Sequence, residues 1–168
     1  MDTLEDVSAD IEAAAHEVDY VAVNTLWLAL LKLANAEDNG SNEQARMVAL
    51  VDRIPELQIS AIVQAEDVDA LVNLDPPLES VLTHARERLE TEKVATALGK
   101  IRTQRATDVR EAMSGLGFVL KTIRNKREHG FKSRRGPRDA QILSPARHLL
   151  DRLCRAALEA QRQAELLS

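Results

Sequence analysis

Apolar residues recur at helical intervals along most of this 168-residue chain. Between residues 18 and 36, Val21, Leu28, Leu31 and Ala34 fall near one face and Leu30 and Leu33 widen it, which predicts a largely buried helix. The stretch "AEDNGSN" (36–42) breaks it, with Gly40 as the stop. Ser41 followed by Gln44 forms a capping-box pattern ahead of a second, shorter helix through "ARMVALVDRI", which runs until Pro55. Residues 57–74 are β-branched in their first half, yet Ile59, Ile62, Val63, Ala70 and Leu71 suit helical spacing better than strict alternation. After the break "DPP" (75–77), Val81, Leu82, Ala85, Leu89, Val94, Leu98 and Ile101 form a stripe that predicts one long surface helix over about 78–104.

Thr107 then caps a helix carrying Val109, Met113, Leu116, Val119, Leu120 and Ile123 on one face. Gly115 and Gly117 each cost up to roughly 1 kcal/mol inside a helix, so "SGLG" marks either the close approach of another helix or a kink. Asp139 or Ser144 caps a final helix, with Pro145 in its first turn and Leu149, Leu150, Leu153, Ala156, Ala157 and Ala160 inward. No internal repeat or low-complexity linker interrupts this order, and the length suits one domain over 1–168.

Composition supports an all-α reading. Leu, Ala, Val and Ile dominate the apolar residues, and Tyr20, Trp27, Phe118 and Phe131 are the aromatics, a mixture that favours helices over sheets. The most apolar run, "VAVNTLWLALLKLANA" (21–36), is interrupted by Asn24, Thr25 and Lys32 before it reaches the roughly 20 apolar residues of a membrane span. The acidic start lacks the form of a signal peptide. Cys154 is the lone cysteine, so no intrachain disulfide forms and a cytoplasmic location is expected; its place in "HLLDRLCRAALEA" fits a buried small hydrophobe. His16, His84 and His148 lack any ligand-like cluster, the acids Glu87, Glu90 and Glu92 read as solvated, and neither metal nor cofactor is expected.

Charge changes the picture. The formal net charge is −5, but residues 1–100 hold 7 basic and 20 acidic side chains while 101–168 hold 15 basic and 7 acidic. The basic excess peaks in "RNKREHGFKSRRGPRD" (124–139), directly after the apolar stripe that ends at Ile123. Such a patch attracts phosphate, whereas the acidic remainder disfavours indiscriminate binding to nucleic acid.

Within it, "RNKREHG" places four residues between Arg124 and His129, with the polar Asn125 after the arginine and Gly130 after the histidine. This pattern resembles the HEPN superfamily, the higher eukaryotes and prokaryotes nucleotide-binding proteins, whose mark is Arg, then usually a polar residue, then His after four to six intervening positions. Lys132 and "RDAQIL" (138–143) entering a final helix extend the likeness, which covers about residues 107–160; the first hundred residues agree in being helical. The resemblance implies a helical bundle of about five to six helices and a homodimer whose motifs face each other across a two-fold axis. On an ideal helix Arg124 and His129 lie about 140° apart, while Asn125 and His129 share a face, so a symmetric partner would supply the group that one copy lacks.

The chemistry that the motif suits is cleavage of RNA. Arg124 would clamp the scissile phosphate, and His129, with its pKa near neutrality, would carry a proton at the ribose 2′-hydroxyl or the leaving 5′-oxygen. Asn125 would orient His129 or contact substrate; Lys126, Arg127, Lys132, Arg134, Arg135 and Arg138 would track the backbone, and Phe131 is the one stacking platform near the motif. The resemblance implies a metal-independent endoribonuclease leaving a 2′,3′-cyclic phosphate, serving as a toxin or anti-phage component beside a nucleotidyltransferase-like antitoxin. The rival readings are a non-catalytic HEPN-like dimer that binds RNA or protein, and a helical interaction protein unrelated to HEPN.

Overall fold

The computed structural model describes residues 3–37, 42–83, 87–129 and 137–168, and among them all regular structure is helical. Nine helices are described: α1 (Thr3–Ala14), α2 (Asp19–Glu37), α3 (Glu43–Asp52), α4 (Glu56–Val63), α5 (Glu66–Val72), α6 (Leu78–Leu82), α7 (Arg88–Gln104), α8 (Val109–His129) and α9 (Pro137–Leu166). That exceeds the five to six expected. One helix was not anticipated, and two expected helices are each divided.

The unanticipated helix is α1, whose acidic sequence conceals a stripe of Leu4, Val7, Ile11 and Ala14, all buried. The segment 57–74 divides at Gln64 and Ala65, where the backbone turns extended before Glu66 and Asp67 open α5, their carboxylates favoured by the helix dipole. Ile59, Ile62 and Val63 on α4 and Val68, Leu71 and Val72 on α5 still reach the same core, while Ala70 is exposed. The stretch 78–104 divides after Leu82, because Thr83 is extended and its hydroxyl pairs with that of Thr91 on α7. Leu89 is therefore exposed rather than part of the buried stripe.

Caps differ from expectation by a residue or more. Asn42 caps α3, its Oδ1 accepting from the Ala45 amide at 2.9 Å; Ser41, the expected cap, and the side chain of Gln44 lie outside the described residues. Asp108 rather than Thr107 accepts from the Glu111 amide at the start of α8 (3.2 Å). Helix α9 begins at Pro137, with Pro145 in its interior rather than in its first turn. Burial explains the longer helix: Ile142, Leu143 and Ala146 are enclosed, and each large aliphatic side chain contributes about 1.5–3 kcal/mol, together enough to offset an interior proline costing about 3 kcal/mol.

The packing centres on α2, which meets α1, α3, α8 and α9, while α7 lies along α8. Surrounded in this way, α2 buries Ala22, Val23, Leu26, Trp27, Ala29, Leu30, Leu33 and Ala34; Leu28, assigned inward from the pattern, is exposed, and Val21 and Leu31 are half-buried. The Cys154 thiol on α9 donates to the Leu26 carbonyl at 3.2 Å and is fully enclosed. Arg147, also on α9, reaches Asp19 Oδ1 (2.8 Å) and the Ala14 carbonyl (2.8 Å), satisfying an acceptor at the end of α1 and tying α9 to the α1–α2 junction. At Gly115 the α7–α8 contact is so close that an added Cβ would stand 2.7 Å from the Ala97 carbonyl oxygen; at Gly117 it would meet nothing within 4 Å. Close approach thus accounts for the first glycine of "SGLG", and α8 runs as one helix through both. No helix among the described residues is long and apolar enough to cross a membrane.

Candidate functional site

Helix α8 carries its apolar stripe, Ala112, Met113, Leu116, Val119, Leu120 and Ile123, up to the point where the basic motif begins, and continues helically to His129. The motif therefore occupies the last turns of a helix whose first turns are anchored. Arg110 near its start donates to the carbonyls of Val51 (3.2 Å), in the last turn of α3, and of Ile54 (2.9 Å), just beyond that helix. Gly115 seats α8 against α7. The far end is thereby held in register.

Arg124 is half-buried against α2. Its Nε donates to Asn24 Oδ1 at 3.1 Å and its Nη1 to Asn125 Oδ1 at 3.3 Å, so two carboxamides, one from each helix, hold the guanidinium. Of the expected catalytic residues, Arg124 and Asn125 are thus brought together. The backbone of His129 closes α8, but its side chain, with those of Arg127 and Arg138, lies outside the described residues, as do Phe131, Lys132, Arg134 and Arg135 entirely.

Lys126 behaves differently from a solvated cation. Its Nζ lies 2.9 and 3.1 Å from the two carboxylate oxygens of Glu87, the residue that precedes α7. Two residues beyond Arg124 on a helix correspond to about 200°, so Lys126 and Arg124 serve opposite neighbours. The acidic side chain read as solvated is in fact the partner of one of the expected RNA-binding residues. A phosphate arriving at Lys126 would compete with a carboxylate already in contact.

Sequence reading missed Asn24. It stood out as a polar interruption of the most apolar run, yet nothing local shows that α2 crosses α8 where Asn24 meets a residue 100 positions away. Along the same side of α8, one and two turns before Arg124, Lys121 and Gly117 border an apolar groove of about 80 Å³ whose walls include Trp27, Met47, Val51 and Phe118. Comparison of the chain with protein-family models, with curated proteins and with solved structures finds no match.

Proposed function

We propose that this chain is a HEPN-type, metal-independent endoribonuclease acting in the cytoplasm as a two-fold homodimer. The observation that carries the reading is the presence of Arg124, Asn125 and His129 within the final two turns of α8, with the Arg124 guanidinium already held by carboxamides. A cation fixed before substrate arrives suits the clamping of a phosphate, because its orientation is settled in advance. His129 takes the proton from a ribose 2′-hydroxyl as that oxygen attacks phosphorus. The bond from phosphorus to the 5′-oxygen breaks, a proton is delivered to that oxygen, and a 2′,3′-cyclic phosphate remains. The nucleophile belongs to the RNA, so DNA is not cut.

On an ideal helix positions 124 and 129 are about 140° apart, and a second copy related by a two-fold axis supplies the facing group. Arg127, Lys132, Arg134, Arg135 and Arg138 extend the cationic track for the RNA backbone. The setting we propose is a toxin or anti-phage system with a nucleotidyltransferase-like antitoxin as partner. One observation favours a second reading, a dimer that binds RNA or protein without cutting it: the pairing of Lys126 with Glu87 lowers the positive charge beside the motif.

The deciding experiment incubates the protein with a mixed RNA substrate in excess chelator, beside a His129→Ala variant that folds and dimerises alike. Cleavage with cyclic phosphate ends, lost in the variant, is the expected result. RNA that stays intact but is retained by the protein would establish the non-catalytic reading instead.

A further inference from the structure

Two ion pairs in the first turns of α7, Arg88 with Glu92 and Lys93 with Glu90, stand in solvent and join neighbours on one helix, so they hold little together. The pair of Lys126 with Glu87 differs. Its side chains are only 28% and 36% exposed, it joins the motif helix to the entry of α7, and both carboxylate oxygens lie within hydrogen-bond distance of one ammonium. Two anionic oxygens presented to a cation are also what a phosphate offers. The main chain of Glu87 is fixed independently, because its carbonyl accepts from the Thr91 amide (2.9 Å) and the Thr91 hydroxyl (3.1 Å). Glu87 holds the N-cap position of α7, yet its side chain makes no capping bond. An acid at that position is ordinarily drawn to the first amides of its own helix and to the positive end of the dipole. The carboxylate thus has two destinations, reached by turning about side-chain bonds alone.

We infer that Glu87 is an internal competitor for phosphate: it occupies Lys126 on the motif helix, and a phosphate that binds there sends the carboxylate back to the start of α7. RNA as the source of that phosphate rests on the proposed ribonuclease reading; the competition rests on the geometry. A carboxylate tethered beside the ammonium has a high effective concentration, so a single free anion displaces it poorly, whereas a ligand held at several points can do so. Lys126 lies about 200° around α8 from Arg124, so the phosphate it would take is a flanking one and not the scissile one. Glu87 in this way reserves Lys126 for a polyanion.

The test uses the full chain in a His129→Ala background, which prevents turnover, with a mixed-sequence RNA oligonucleotide as probe. Glu87→Gln is expected to tighten binding about ten-fold, the size of a hydrogen bond to a charged group, and to steepen the slope of log affinity against log salt by about 0.7. Glu87→Asp keeps the net charge, is one methylene shorter and is better suited to capping α7, so it should also tighten binding. Added to either variant, Lys126→Gln should abolish the gain, although the same change in the parent alters binding little. The same proteins are titrated with pyrophosphate, a phosphate anion that owes nothing to RNA.

RNA binding by the parent that neither Glu87 variant improves, or a gain that survives Lys126→Gln, would overturn the competition. If neither the parent nor its variants bind RNA, the ribonuclease reading falls by itself. Pyrophosphate then decides: tighter binding in Glu87→Gln that Lys126→Gln removes upholds the competitor, and equal or absent binding in all of them ends it.

Discussion

The Cys154 thiol is kept protonated by its surroundings. Full burial between α2 and α9, reinforced by the nearby Asp151 carboxylate and partly offset by Arg155, pushes its pKa well above the ordinary 9.0. The unfolded chain loses this proton near the ordinary value while the folded chain retains it, so the native state binds more protons above that pH. Stability from this group is complete below about pH 9 and declines above it, by up to about 1.4 kcal/mol per pH unit. Urea titrations between pH 8 and 11 should therefore show a steeper alkaline loss in the parent than in Cys154→Ala. Parallel curves would mean that the thiol ionises without unfolding.

At the scale of the helices, the two glycines of α8 make a contrast that a denaturation curve can read. A methyl group at Gly115 would press on the Ala97 backbone carbonyl, which cannot rotate aside as a side chain can, and on Ile101 Cγ1 at 3.3 Å. Gly115→Ala should cost about 1–3 kcal/mol as α7 and α8 are forced apart. Gly117→Ala meets open space and should gain about 0.5–1 kcal/mol, because alanine is the better helix former. Equal shifts in urea midpoint would refute the close approach.

The same elements show what the pattern of side chains conveys. It identified the helical segments from 18 onward and the core stripe of α8, because burial imposes a 3.6-residue period. It did not reveal the breaks at Ala65 and Thr83, since chain that resumes its path against one core keeps the same residues inward on both sides of the break. Nor did it reveal the extent of α9, where local preference set Pro145 in a first turn and burial of Ile142 and Leu143 prevailed. On α2 it chose a face for a helix that is covered from several sides.

Across the whole molecule, charge is sorted by sequence but modified by packing. The basic excess lies beyond residue 100, yet Lys126 spends its charge on Glu87 from the acidic part. Under the proposed function, replacing Arg134 and Arg135 by Gln should flatten the slope of log affinity against log salt by about 1.4, two phosphate contacts at roughly 0.7 each for single strands. Lys126→Gln should change it by much less, because that cation already has a counter-ion; a full step in slope would show that RNA displaces Glu87. Arg124 and Asn125 were legible as candidates because they are neighbours in a short motif. Asn24 was not, because its contact with Arg124 arises from a helix crossing that no local pattern encodes.

The dependence of α2 on α9 also bears on how the chain acquires its structure during synthesis. Trp27, Leu30 and Leu33 are made early, and the α9 stripe that helps to enclose them more than a hundred residues later. Contacts so distant along the chain form late and slowly. Until Leu149, Leu150 and Leu153 have left the ribosome, the nascent protein carries an apolar helix without its principal cover, a form suited to chaperone binding and prone to association. The contact between Asn24 of α2 and Arg124 of α8 would then be secured only once translation has passed α9.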